Sequence, residues 1–282
     1  MRRWGALVAV VIATVMVMSS EIGAQWPSYP TPDVPRTADG KPLLDGPAPR
    51  TPDGKVDFSG IWNLAFGGGG GGRGRGAGAP PQPPPPVDPN AIPISQFGEV
   101  AGRGYPLPLQ PWAADARKQR SAANSADDPH AKCLPNNPPR SYTLPHFQKI
   151  IQTPYFIAML TEFNASFRQV FTDGRPLPVE PNPSWHGYSI GRWDGDALVV
   201  RTNGLRDGMW LDMSGTPMTD AATLTERITR PNYGTLEIAF TVDDPKAYTK
   251  PWTVNLRQEI VVDTDLIEEI CLEGLRPLHL PK

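Results

Sequence analysis

The chain has 282 residues, with 27 Lys and Arg against 29 Asp and Glu, four His and two Cys. A net charge of −2 and a 39% hydrophobic content exclude a polytopic membrane protein and a nucleic-acid binder that relies on excess positive charge; two cysteines exclude a disulfide-dense miniprotein. Proline is the outlier, at 35 residues, more than twice the usual share of about 5% and concentrated before residue 145.

Residues 1–24 read as a removable export signal. Arg2 and Arg3 form a positive start, and Ala6–Met18 is an apolar run too short for the ~18–20 residues of a membrane span. Gly23 and Ala24 suit cleavage before Gln25, so the expected location is periplasmic or secreted. No polybasic run follows that would favour nucleic acid or an anionic membrane. Export into an oxidising compartment favours pairing of Cys133 with Cys271, with two separate buried thiols as the alternative. Neither Cys lies near a second Cys, and neither a metal nor a cofactor is expected.

Residues 25–56, rich in Pro, Gly, Asp and Thr, predict an extended arm, because they bury too little apolar surface to offset backbone ordering. A first strand is expected within 57–66, at Asp57–Leu64. Residues 67–110 follow as a low-complexity linker, with a Gly67–Gly72 hexamer, Arg-Gly repeats and a run of prolines that change a flexible segment into a stiff polyproline one. A β domain is expected over 111–282, with one short, largely polar helix at 112–124.

From His146 the pattern turns to strands separated by turn residues: 147–153, 155–163, 166–172, 188–193, 197–202, 223–229, 235–242, 252–262 and 266–271. Asp194-Gly195 between two of them is the strongest hairpin signal. Leu236, Ile238, Phe240 and Val242 share one face of their strand. The fold class is therefore all-β, an antiparallel meander closing into a lipocalin-like barrel, with a β-sandwich as the alternative; closure removes exposed edge strands.

Gly60-Ile61-Trp62 resembles the Gly-x-Trp signature of lipocalin-like barrels. That resemblance implies a Trp packed across the closed barrel end beneath an Arg from near the last strand, with Arg257 the candidate. The segments DFSGIW, DDPHAKCLPNNPPR, FTDGRP, SWHGYSIGRWDGDALVV, DDPKAYTKPWTV and EEICLEG resemble a widespread family of exported bacterial proteins of unknown function, covering residues 57–64 and about 111–274. Arg201 and Met218 stand where that family usually has an acidic residue and a His.

The densest cluster of chemistry-bearing residues runs from Trp185, His186 and Tyr188 through Trp193, Asp194 and Asp196 to Asp207, Trp210 and Asp212. Aromatic rings beside carboxylates suit a site that stacks a flat ligand and hydrogen-bonds its polar edge, and the same rings could instead fill a core. Tyr248 and Trp252, in a polar loop, could line a barrel mouth or only set strand register. His186 is the candidate catalytic base, oriented by Asp207 or Asp212. Paired carboxylates could be drawn from Asp196, Asp212 and Glu226; no Ser or Cys sits on a nucleophile elbow.

The function expected is an exported small-molecule-binding barrel for a small apolar or aromatic-stacking ligand, lined by Trp185, Tyr188, Trp193, Trp210, Tyr248 and Trp252. The alternatives are an envelope scaffold that meets its partner through the Pro/Gly arm, and a carbohydrate-active enzyme with a His/Asp centre.

Overall fold

The computed structural model describes residues 30–65, 92–93, 100 and 106–275. The export signal, the glycine hexamer, the Arg-Gly repeats and the proline run lie outside the described residues. Among the described residues there are twelve strands: β1 (Gly60–Leu64), β2 (Ile92–Pro93), β3 (Gln148–Gln152), β4 (Phe156–Thr161), β5 (Ser166–Phe171), β6 (Tyr188–Asp194), β7 (Ala197–Asn203), β8 (Met209–Trp210), β9 (Pro217–Met218), β10 (Thr223–Asn232), β11 (Thr235–Asp243) and β12 (Trp252–Val261). The helices are α1 (Pro111–Ala122), α2 (Arg140–Thr143) and α3 (Cys271–Leu275).

Nine strands close into a barrel in the order β1-β3-β4-β5-β6-β7-β10-β11-β12, with β12 returning to pair with β1. Alternation dictates which side chains face in. Along β12 burial alternates strictly, with Trp252, Val254, Leu256, Gln258 and Ile260 inward. Its register with β11 sets Phe240 beside Val254 and Ile238 beside Leu256. A one-residue slip would turn this whole apolar set to solvent, so the register is strongly specified.

The expected meander needs three corrections. First, β5 and β6 pair in parallel, Val170 beside Ser189 and Phe171 beside Ile190. The intervening chain carries Pro176, Pro178, Pro181 and Pro183, which remove backbone donors and keep it extended. It therefore cannot turn back as a hairpin and re-enters β6 in the same direction as β5. Second, residues 266–271 do not form a strand beside β12: Glu269 makes a parallel bridge to Phe163, and Cys271 opens α3. Third, the 67–110 segment is not wholly a detached linker. β2 runs parallel to β12, and Val100 is fully buried and donates its backbone N–H to Asp212.

The lower end of the barrel is sealed around Trp62, which is fully buried and donates its indole N–H to the Phe58 carbonyl at 3.0 Å. Arg257 does not cover it. Arg257 points outward from β12 and donates to Thr235 Oγ1, whereas the guanidinium of Arg230, on β10, lies 4.8 Å from the Trp62 ring centroid. Arg230 falls on the inward alternation of its strand with Leu224, Glu226 and Ile228; Arg257 falls on the outward one. Arg230 donates to the carbonyls of Tyr233, Asp57 and Ser59, and burial lowers its pKa to about 10. Gly60 holds φ +146°, and a Cβ there would meet Ile260 Cδ1 at 3.1 Å, which is why glycine precedes the Trp by two positions.

The arm is more ordered than its composition suggests. Arg36-Thr37-Ala38-Asp39-Gly40-Lys41 recurs as Arg50-Thr51-Pro52-Asp53-Gly54-Lys55, and the two copies make the same bonds. Thr37 N–H donates to the Lys41 carbonyl at 2.8 Å and Thr51 N–H to the Lys55 carbonyl at 2.9 Å; each Arg bonds the glycine carbonyl of its own turn. Arg36 pairs with Asp263 and Arg50 makes a two-pronged pair with Asp196. The Arg50–Asp196 pair is more than half exposed on both sides, so it positions the arm and adds little to stability.

α1 keeps close to its expected bounds, beginning at Pro111, where the missing N–H costs no hydrogen bond. Ala113 is its one buried residue, as its polar composition requires.

Candidate ligand-binding site

The upper interior contains a charged network that the barrel encloses. Arg168, inward on β5, meets Glu226, inward on β10, through two bonds of 2.5 and 3.1 Å. Both are buried, at 4% and 0% exposure. Arg168 also donates to Ser189 Oγ at 3.1 Å and Thr202 Oγ1 at 2.8 Å, and Ser189 and Thr202 are cross-strand partners 2.8 Å apart. Tyr142 enters from α2 and donates its hydroxyl to Glu226 at 2.8 Å. Burial, then the Glu226 charge, raises the Tyr142 pKa well above the ordinary tyrosine value, so it stays a neutral donor. Burial opposes the Arg168 charge, yet Glu226 and Tyr142 hold its pKa above the usual range. Every nitrogen of Arg168 has a partner, and this saturation makes the network rigid rather than reactive.

Around that network the polar groups are less well matched. Gln148 on β3 and Gln258 on β12 hold α2 by donating to the carbonyls of Ser141 and Tyr142, at 2.7 and 3.3 Å. Because their amide nitrogens must face those carbonyls, the amide orientation is assigned, and each Oε1 is left buried without a partner. Both side chains are more than nine-tenths buried. At the start of α2, Arg140 makes a two-pronged pair with Asp128 at 2.7 and 2.6 Å.

His186 precedes β6, and its Nε2 is likewise buried without a partner. Burial, then the positive charge of Arg168, lowers its pKa to about 4, so the ring is neutral at pH 7. Gly187 next to it has φ +65°, and a Cβ there would meet the Asn203 carbonyl oxygen at 2.6 Å. The chain can pass so close to β7 only with glycine at this position. A histidine of depressed pKa binds fewer protons folded than unfolded. Its stabilising contribution is therefore complete above pH 6.5 and falls as the pH drops toward 4, by up to about 3 kcal/mol. His186→Gln is expected to flatten the fall in stability over that window, measured by urea unfolding at each pH; an unchanged slope would refute the assignment.

The His/Asp centre expected from sequence is not assembled. Asp212 is fully buried, and its carboxylate accepts the Thr216 N–H at 3.0 Å, the Thr216 hydroxyl at 2.7 Å and the Val100 N–H at 3.0 Å, which organises a turn. Asp207 is exposed. The charge acting on His186 is that of Arg168. Asp196 sits at an exposed hairpin tip bound to Arg50, and Glu226 is committed to Arg168, so the three carboxylates do not face one another across a common site.

The six aromatic candidates divide by location. Tyr248 and Trp252 pack 5.4 Å apart, and Tyr248 donates to the carbonyl of Pro217, the residue paired with Trp210 in the β8–β9 ladder; these three share one end of the barrel. Trp193 stacks on Phe58 at 5.6 Å, and Phe58 in turn carries the bond from Trp62 at the lower end. Tyr188 is stacked on Phe171 at 5.3 Å, with Arg175 donating to its hydroxyl. Trp185 lies partly buried against the core, with the Arg206 guanidinium 5.5 Å from its ring centroid.

Sequence reasoning missed Arg168, Gln148, Gln258 and Tyr142, and weighed Glu226 only as an enzyme carboxylate. A signal was available: Glu226 lies between Leu224 and Ile228 at period 2, which places a charge on the inward face of a strand.

The chain matches no protein-family model, and no significant similarity is found to curated proteins or to solved structures. No helix among the described residues is long and apolar enough to cross a membrane.

Proposed function

We propose that this protein is an exported binding barrel whose guest is a small molecule with a flat or apolar body and hydroxyl or amine donors. One observation carries this reading: Gln148 and Gln258, inward on β3 and β12, keep their Oε1 atoms buried and unpaired, and at the entry to β6 His186 Nε2, within the field of Arg168, is buried and unpaired as well. An unmet buried polar atom costs about 1–3 kcal/mol, so natural interiors keep few of them, and several in one interior favour a guest that pairs with them. Two carbonyl oxygens accept, so they select donors. The inward Phe240 and Trp252 supply apolar contact. The Cys133–Cys271 disulfide supports the exported location.

Native mass spectrometry of protein purified from the periplasm or medium is expected to show a co-purifying mass that denaturation removes. Displacement of 1-anilinonaphthalene-8-sulfonate by that compound should weaken at least tenfold in Gln148→Leu and Gln258→Leu. A chain of its bare mass with no saturable dye binding would reject the reading, leaving a structural role in which the twin-turn arm meets an envelope partner.

A further inference from the structure

We propose that His146, Glu162 and Glu269 form a binding site for a single divalent transition ion of the Zn²⁺ type, at the rim of the barrel beside the disulfide. The three residues come from separate parts of the chain: His146 just before β3, Glu162 just after β4, and Glu269 from the C-terminal segment. His146 Nδ1 lies 3.0 Å from Glu269 Oε2 and 3.6 Å from Glu162 Oε1, and all three donor atoms fall within 4.8 Å of one another. Ligands bound at about 2.0–2.2 Å around a tetrahedral ion lie roughly 3.3–3.6 Å apart, so side-chain adjustments bring these atoms to coordination distance.

The backbone beneath them is held from several directions. Glu162 and Phe147 bond reciprocally: the Glu162 N–H donates to the Phe147 carbonyl at 3.1 Å, and the Phe147 N–H donates to Glu162 Oε1 at 2.8 Å. Glu269 N–H donates to the Glu162 carbonyl at 2.7 Å, and Asn164 N–H donates to the Glu269 carbonyl at 2.6 Å. The Asn164 side chain links both half-cystines, donating to the Cys133 carbonyl and accepting from the Cys271 N–H. The disulfide thus anchors the strand of chain that carries Glu269 two residues upstream. His146 packs its ring 5.1 Å from Phe163, which stacks His130 on the same ring at 4.4 Å.

Charge and ligand chemistry point the same way. Among the described ion pairs the two carboxylates meet no Lys or Arg, only His146, so the group concentrates negative charge. His146 and Glu162 are mostly buried, at 16% and 19% side-chain exposure, whereas Glu269 is 51% exposed. That leaves a solvent side for entry and for a water as fourth ligand. An imidazole nitrogen with two carboxylates suits zinc and its neighbours; calcium needs six or more oxygens, which this group does not offer.

The test uses the full, disulfide-bonded chain, titrated with Zn²⁺ and separately with Ca²⁺ by calorimetry at pH 7. The expected result is one Zn²⁺ per chain, a melting temperature that rises with Zn²⁺, and no comparable effect of Ca²⁺. His146→Ala, Glu162→Gln and Glu269→Gln should each weaken binding at least tenfold. Asp115→Asn, which removes an exposed carboxylate from α1, should leave binding unchanged. Glu269 is the exposed ligand, so Glu269→Gln tests the site without threatening the fold. Absence of saturable Zn²⁺ binding, retention of binding in all three variants, or preference for Ca²⁺ overturns the assignment. None of these outcomes bears on the barrel interior.

Discussion

Glu226→Leu is expected to destabilise the protein by about 3–5 kcal/mol, read as a lower urea midpoint at unchanged m-value. The substitution leaves Arg168 at 4% exposure with its charge and no counter-charge, and a guanidinium does not escape by losing its proton. It also removes the carboxylate that accepts from the Tyr142 hydroxyl, leaving that hydroxyl the weaker Met159 sulfur at 3.4 Å. The physics predicts an asymmetry. Removing both partners in Arg168→Met with Glu226→Leu takes away the desolvation cost together with the attraction, so most of the loss should be regained. A single substitution costing under about 1 kcal/mol would mean that water reaches the pair and that the barrel interior is open around it.

Cys133→Ser with Cys271→Ser should cost about 5 kcal/mol, because the bridge closes a loop of 138 residues and restricts the unfolded chain accordingly. For a chain of this size that corresponds to a melting temperature lower by roughly 10–20 °C. Native-state hydrogen exchange should also show the 264–275 segment opening before the barrel does. Outside the disulfide that segment is tied to the barrel by a few backbone bonds to Glu162 and Asn164 and by two partly exposed side-chain contacts, Glu269 with His146 and Asp265 with Lys149. If reduction left both the melting temperature and the exchange pattern unchanged, the bridge would not be a determinant of stability.

Particular residues show how far local pattern reaches. The Asp194-Gly195 hairpin, the inward Leu236, Ile238, Phe240 and Val242, and the polar surface helix all follow from neighbours within a few positions, and all occur as expected. The Arg that caps Trp62 does not follow that way. Arg230 and Arg257 are both strand residues near the lower end, and only the inward or outward parity of each strand tells them apart. The alternation of β10 was readable, since Leu224 and Ile228 flank Glu226 and continue to Arg230; extending it two residues would have chosen correctly. The tandem Arg-Thr-x-Asp-Gly-Lys turns were equally present in the sequence but hidden by a composition that suggested an unpaired arm. The parallel entry of β6 had a weaker signal, the proline-rich crossover before it.

By itself the sequence determined an all-β chain, most of the barrel strands, the inward face of β11, and a cysteine pair suited to bridging, because alternation, turn residues and composition act over short distances. The tertiary structure alone decided which inward polar groups meet across the lumen: Arg168 with Glu226 and Tyr142, Gln148 and Gln258 with α2, and His146 with Glu162 and Glu269 at the rim. Those meetings depend on barrel closure and on register accumulated over nine strands, a non-local quantity that no short stretch of chain encodes.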